Sequence, residues 1–402
     1  MSMDFNSELH ARPSVYFASP AYVEHIALMP SREFHKAPLH SVHSDQAEED
    51  GLVRLVVERH TEFVTVTRVS QVKNDVQDWP MSSWTNGDFA NHADLDNPTF
   101  VCRIGILVME APATEVSALL ARFGFSDTVA SSVGGGSARV FSDFRVGPEG
   151  MSRILLINDG LNEYRLGRMV RRLYEIETYR SMALLSLPEA RRLGSELSRY
   201  DARLTELTNR NLTSHDTGHK DLLEDISLLS AQIISASAET RNRFGATSAY
   251  AKIVEERIVE LREAHLDGFQ RFGVFVARRF RPAVRTCEAT ATRLDQLANA
   301  TAHLIDLLQT RIQMEIEIQN SYQIKVMAER AATQVRIQRA VEGFSVIAIS
   351  YYLLSLLKLV LEASDKAGYH WSPLLMLGAI PVVVGAVATA IWRVRHAIKA
   401  TD

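Results

Sequence analysis

The apolar positions of this chain are concentrated near its C-terminus. An apolar segment of 18 residues runs from Phe344 to Leu361, and one of 20 residues without any charge runs from Pro373 to Trp392. A bilayer core of about 30 Å is crossed by about 20 helical residues. Both segments therefore predict transmembrane helices. The second also lacks the polar face that a core hairpin of a soluble protein would turn toward water.

Basic residues beside the two segments predict their orientation. The connecting loop has Lys366 against Glu362 and Asp365, whereas seven basic residues flank the other ends of the segments. These seven are Lys325, Arg330, Arg336, Arg339, Arg393, Arg395 and Lys399. Because cytoplasmic flanks of membrane spans are enriched in Lys and Arg, we expect a multi-pass protein with both termini in the cytoplasm.

Residues 1–158 have the pattern of an α+β cytoplasmic domain. The stretches "GLVRLVVERHTEFVTVTRV", "TFVCRIGILVM", "DTVASSV", "SARVFSDF" and "SRILLIND" are rich in β-branched residues and predict strands. "TEVSALLARFGF" predicts a short helix that begins near Thr114. The Gly134–Gly136 run lacks the Lys-Ser/Thr of a phosphate loop and predicts a hairpin turn.

Residues 159–340 predict a cytoplasmic region of long helices or coiled coil, followed by a membrane domain over 341–402. Pro188 is expected to begin one helix, two more are expected at about 220–243 and 247–280, and Pro282 should kink or break the chain. From about Thr286 a single helix should continue through the first span. Its apolar stripe requires partners, either antiparallel helices of the same chain or other copies. The stripe comprises Leu294, Leu297, Thr301, Leu304, Leu308 and Ile312, continued more weakly by Ile324, Met327, Ala331 and Val335.

Composition narrows the function classes. The 402 residues carry a net charge of -4, which gives no support for nucleic-acid binding. Cys102 and Cys287 are the only cysteines, which argues against a disulfide scaffold or a structural zinc site. The N-terminus has no apolar signal-peptide region. No group of nucleophilic or acid–base residues lies in a recognisable catalytic motif. We therefore expect that the protein is not an enzyme.

Two groups of residues in the N-terminal domain are candidates for a cytoplasmic ligand or cation site. In "ERHTEF", Glu58, His60 and Glu62 would share one face of a strand and could bind a divalent cation, or form an ordinary salt-bridged face. In "ELHARP", the residues Glu8, His10 and Arg12 could bind an anion or dock the N-terminal arm.

The first span carries polar residues that define a candidate conduction path. Ser345, Tyr352 and Ser355 fall on one helical face, and Tyr351 and Lys358 adjoin it. Polar groups that face lipid are costly, so this face should turn toward other helices or toward water. In a pore, Glu362 and Asp365 would attract cations at the outer mouth. Simple interhelical packing is the alternative.

Several segments together resemble a known family. In chain order they are "NSELHARP", "ERHTEF", "LGRMVRRLYEIETYRSMALLSLP", "FRPAVRTCEA" and "VEGFSVIAISYY". They resemble a bacterial family of predicted membrane-anchored proteins, the domain of unknown function 3422, and they span nearly the whole chain. The resemblance implies the bacterial inner (plasma) membrane and implies no activity.

The order of elements is also similar to that of CorA-type divalent-cation channels, which are pentamers whose first span lines the pore. The Gly-Met-Asn signature that closes their first span is absent here, where the span ends "LLKLVLEA". Two interpretations follow. One is a homo-oligomeric, CorA-like cation channel, transporter or sensor, and the other is a membrane-anchored interaction or scaffolding protein without transport. We expect no cofactor, although a divalent cation is a candidate ligand. The expected partners are the lipid bilayer and further copies of the chain.

Overall fold

An eight-stranded mixed sheet forms the centre of the N-terminal part of the chain in this computed structural model. The structure describes residues 15–31, 41–48, 51–73, 76–111, 115–147, 149–213, 218–366, 368 and 372–399. The strands are β1 (Ala21–Met29), β2 (Ser41–Glu48), β3 (Gly51–Arg59), β4 (Val64–Gln71), β5 (Thr99–Glu110), β6 (Val129–Val133), β7 (Ala138–Val146) and β8 (Met151–Asn158). Their order in the sheet is β2-β3-β4-β1-β5-β8-β7-β6. Strands β5 and β8 pair in parallel, and the other neighbours pair antiparallel.

Helices cover both faces of this sheet. The described helices are α1 (Asn86–His92), α2 (Val116–Arg122), α3 (Glu163–Leu184), α4 (Leu187–Thr213), α5 (His219–Glu260), α6 (Phe272–Lys366) and α7 (Pro373–Lys399). On one face, Val23 and Ile106 share a buried cluster with Leu173 of α3 and Phe272 of α6. On the other face, Phe89 of α1 packs with Ile26. Alternation of side chains along each strand supplies apolar groups to both layers, so the α+β prediction for this domain is confirmed.

The predicted strands are present, and so is the hairpin turn at Gly134–Gly136, where all three glycines have positive φ. Two strands were not predicted. Strand β1 interrupts its apolar run with buried Glu24 and His25, and β2 is a polar edge strand. The short helix begins at Val116 after Glu115, without a side-chain cap, and Thr114 lies outside the described residues.

The helical predictions need two corrections. Helix α5 is continuous from His219 to Glu260 because Phe244 and Thr247 are buried and hold its middle in place. The chain then leaves the helix, and Ala264 and Gln270 bridge to strand β6. Helix α6 passes through Pro282 without ending. The hydrogen bond that proline removes is offset by burial of the neighbouring Phe280 and Val284.

The chain divides into two compact units, Met1–Asp306 and Leu307–Asp402. The predicted boundaries at 158 and 340 differ from this division because helices α3 and α5 share a core with the sheet. In the first unit, Leu294, Leu297 and Leu304 of the predicted stripe are buried. Arg293 contacts Asp201 of α4, and Thr301 lies 3.5 Å from Ser230 of α5. The chain's own helices therefore cover this part of the stripe.

Within the described part of the chain, one helix is long and apolar enough to cross a membrane. It is Phe272–Lys366, whose most apolar 18-residue window has a mean hydropathy of 2.0 and is 6% buried. Helix α7 contains a shorter apolar stretch, Leu377–Arg393. The apolar first segment is thus a helix, whereas the second membrane crossing stays a prediction.

Candidate functional site

The predicted polar face of the first span lies open on the surface of the single chain. Tyr351 and Tyr352 are 66% and 69% exposed, and Ser355 is also exposed. The hydroxyl of Ser345 donates a hydrogen bond to the Val341 carbonyl oxygen at 2.9 Å, within the same helix. Lys358 Nζ lies 3.8 Å from Glu362, one turn further along. The structure therefore places these residues on one helix and leaves Tyr351, Tyr352, Ser355 and Lys358 exposed, whereas Ser345 is half-buried.

A different face of the same helix is the protected one. Its least exposed positions recur every three or four residues, and Ser350 is the most buried of them at 5%. These positions are Val346, Ser350, Leu354, Leu357 and Leu361, and Ser345 beside Val346 is half-buried as well. Helix α7 has a matching protected stripe at Ala379, Val383, Val387 and Ile391. Such stripes are those that two joined helices turn toward one another.

The protected and polar faces lie on nearly opposite sides of the helix. At 100° per residue, Tyr352 is separated from Ser350 by about 160° around the axis. A helix that packs on the Ser350 side therefore leaves the Tyr352 side free for other partners. Ser350 was not among the predicted site residues, and its buried hydroxyl has no hydrogen-bond partner among the described residues.

The predicted strand face of Glu58, His60 and Glu62 does not form as expected. Strand β3 ends at Arg59, and His60 lies in the turn, where its N–H donates to the Phe63 carbonyl oxygen at 2.8 Å. Strand β3 therefore does not extend to His60 and Glu62. All three side chains nevertheless contact helix α3 or α5.

Each of these three side chains has its own partners. Glu58 is buried and accepts from Arg171 of α3 at 3.0 Å. Glu62 accepts from Arg243 at 2.8 Å and from the Tyr250 hydroxyl at 3.2 Å. The His60 ring stacks on Phe63, with 4.2 Å between ring centroids. The carboxylates therefore join the sheet domain to its helices.

No metal site is formed by this group. Among the residues that the structure describes, no three His, Cys, Asp or Glu side chains are placed to hold a metal ion. Glu8, His10 and Arg12 lie outside the described residues.

A buried polar layer lies between the sheet and helix α3. His25 Nδ1 is 2.7 Å from the Thr67 hydroxyl, and its Nε2 is 3.0 Å from the Thr178 hydroxyl. Its ring stacks on Tyr174 at 4.0 Å between centroids. Burial lowers the pKa of His25 from 6.5 to about 3, with His60 and Arg171 adding to the effect. The imidazole is therefore neutral, and its two nitrogens are held by hydroxyl groups.

Cys102 belongs to the same layer. Its thiol lies 3.8 Å from the Thr178 hydroxyl, and burial raises its pKa to about 11. A thiol with so high a pKa is not a nucleophile at neutral pH. The layer positions α3 on the sheet and shows no activated group.

Comparison with known proteins adds one result. The sequence matches the family model "Protein of unknown function (DUF3422)" over residues 3–398. The chain belongs to the DUF3422 family. No match was found among curated proteins. The resemblance to CorA-type channels therefore gains no support from these comparisons.

The polar layer of this DUF3422 protein could not be found from sequence. His25, Thr67 and Thr178 are separated by 42 residues or more along the chain, and only strand pairing brings the first two together. The one available signal was a histidine inside an otherwise apolar run, "AYVEHIALM".

Proposed function

We propose that this DUF3422 protein is a homo-oligomeric membrane protein whose first spans meet along the Tyr352 face and conduct or sense cations. The observation that supports this proposal is the exposure of Tyr351, Tyr352 and Ser355 in a helix with a window of mean hydropathy 2.0. Tyrosine hydroxyl groups placed against lipid tails find no hydrogen-bond partners there. The free energy of the membrane state falls when a second copy covers this face.

The helix segment before the span supports self-association independently. Almost every residue from 313 to 344 is exposed, including Ile318, Tyr322 and Met327. Helices in proteins owe most of their stability to packing of an apolar face. Since no described part of the chain covers this segment, other copies are the simplest partner.

An assembly with this face inward would form a polar path. Tyr352 would make a ring near the middle of the span, with Ser345 toward the cytoplasmic mouth. Glu362 and Asp365 would draw cations to the outer mouth. This arrangement is CorA-like in its use of the first span, with both spans crossing the membrane and both termini cytoplasmic. Because the Gly-Met-Asn signature is absent, the analogy with CorA-type channels does not identify the ion as magnesium.

The test is ion flux into proteoliposomes that contain the purified protein. We expect flux of at least one cation among magnesium, other divalent ions and monovalent ions, and an oligomeric mass in detergent. Ser345→Leu and Tyr352→Ala should change the flux while the oligomeric mass is preserved. The matched control is Leu353→Ala, since Leu353 lies about 100° around the helix from Tyr352 and should leave flux unchanged.

A membrane-anchored scaffold is the second candidate, and a specific observation favours it. Ser345 bonds to its own helix, and Lys358 pairs with Glu362 of the same helix, so these polar groups need no water path. Suppose that the oligomer is intact but the flux equals that of empty liposomes for every cation tested. This result would exclude the conduction hypothesis and favour the scaffold hypothesis. A monomer in detergent would contradict the oligomeric proposal itself.

A further inference from the structure

A small cavity in the first unit is surrounded by arginine side chains. It has a volume of about 260 Å³, and its lining includes Arg165, Arg168, Arg172 and Arg262, with Glu260 as its one acidic side chain. Helix α3 contributes the first three arginines, and the end of α5 contributes the other charged groups. Four guanidinium groups against one carboxylate leave a strong positive charge around an open space.

The backbone fixes the shape of this cavity. The N–H of Gly134, in the β6–β7 turn, donates to the Leu261 carbonyl oxygen at 2.9 Å. Gly134 has a φ of 64°, and a Cβ atom there would lie 3.2 Å from Met169 Cε. Glycine therefore lets the turn approach both α3 and the end of α5.

The single carboxylate is already engaged. Glu260 accepts from Arg172 at 2.9 Å and from Arg257 at 2.9 Å. The hydrogen bond from Arg172 holds the pKa of Glu260 below its usual range, so its charge persists at neutral pH. Arg165 donates to the Gly134 carbonyl oxygen at 3.1 Å. This hydrogen bond uses part of the guanidinium N–H groups of Arg165.

Arg168 and Arg262 have guanidinium N–H groups that are available to a ligand. Neither side chain makes a hydrogen bond or an ion pair with any residue that the structure describes. Arg262 also has a φ of 48°, a left-handed conformation that glycine usually takes at the end of a helix. Arg262 therefore occupies a strained backbone position beside the cavity.

We infer that this cavity binds the phosphoryl or diphosphoryl group of a small metabolite. Guanidinium groups present forked N–H donors that match the oxygens of a phosphate. The volume lies just below the range of about 300–1,000 Å³ that is typical for drug-sized ligands. It therefore suits a phosphate or diphosphate with little attached, and this site is separate from the proposed membrane path.

Calorimetric titration of the purified full-length protein with sodium pyrophosphate tests the site. Ionic strength is held fixed with sodium chloride, and inorganic phosphate and sulfate are titrated in parallel. We expect saturable pyrophosphate binding, with phosphate weaker. Arg168→Ala and Arg262→Gly should each weaken pyrophosphate binding about tenfold or more, since each removes charged hydrogen bonds.

Two controls separate binding from folding. Glycine suits the left-handed backbone at position 262, so Arg262→Gly should raise the melting temperature of the free protein while it reduces the shift produced by pyrophosphate. Arg191→Ala removes the same charge from an exposed position of α4 and should leave binding unchanged. Absence of saturable binding, equal binding of sulfate and pyrophosphate, or equal losses in all three variants would overturn the inference.

Discussion

At the scale of single residues, His25 links the buried polar layer to the stability of the sheet unit. Folding lowers its pKa from 6.5 to about 3 because the ring is buried. Between these values the unfolded chain binds a proton that the folded chain does not. The stabilising contribution is therefore complete above pH 6.5 and is lost as pH falls toward 3, by up to about 1.4 kcal/mol for each pH unit.

The predicted consequence is measurable with His25→Gln, in which the amide keeps polar atoms but cannot titrate. The free energy of unfolding is measured by urea titration between about pH 7 and 4. It should fall less steeply with decreasing pH in this variant than in the unmodified protein. His92→Gln is the control, because His92 is exposed on α1. Identical slopes for His25→Gln and the unmodified protein would show that His25 does not carry this pH dependence.

At the scale of elements, the close approach of the segment before β1 to helix α3 depends on Gly167. A Cβ atom at this position would overlap the carbonyl oxygen of Val15, whereas a Cβ at Gly194 of α4 would meet nothing within 4 Å. Gly167→Ala should therefore lower the free energy of unfolding by about 1–3 kcal/mol. Gly194→Ala should raise it by about 0.5–1 kcal/mol, because alanine is the better helix former. Denaturant titration of both variants makes the comparison, and equal effects would contradict the close approach.

The elements also show where sequence patterns are sufficient. β-Branched runs predicted β3 and β4, and the apolar run after Phe344 predicted the end of α6. Strand β1 was missed because a charged residue such as Glu24 is unfavourable in a buried strand unless it is paired. In the structure, Arg68 and Arg103 of the neighbouring strands lie 3.1 and 3.3 Å from the Glu24 carboxylate. In the candidate site, residue spacing identified the polar face of the span. It could not identify the opposite face, which depends on the burial of Ser350.

At the scale of the whole molecule, the proposed two-span topology predicts where reagents reach the chain. Cysteines introduced at Ser364 and Thr401 should react with a membrane-impermeant maleimide from outside and from inside, respectively. Cys287 is buried and Cys102 is largely buried, and both have raised pKa values, so the native thiols should add little background. Labelling of both introduced cysteines from the same side would exclude the single predicted crossing between them.

The position of the apolar window within α6 also has a consequence for biosynthesis. All strands of the described sheet, and the helical residues that pack on it, precede residue 307, and the ribosome makes a chain from its N-terminus. Domains generally fold as units during synthesis, so the sheet unit can close before the membrane-directed segment has been translated. A chain that ends at residue 306 and has been released from the ribosome should consequently resist protease in the absence of a bilayer.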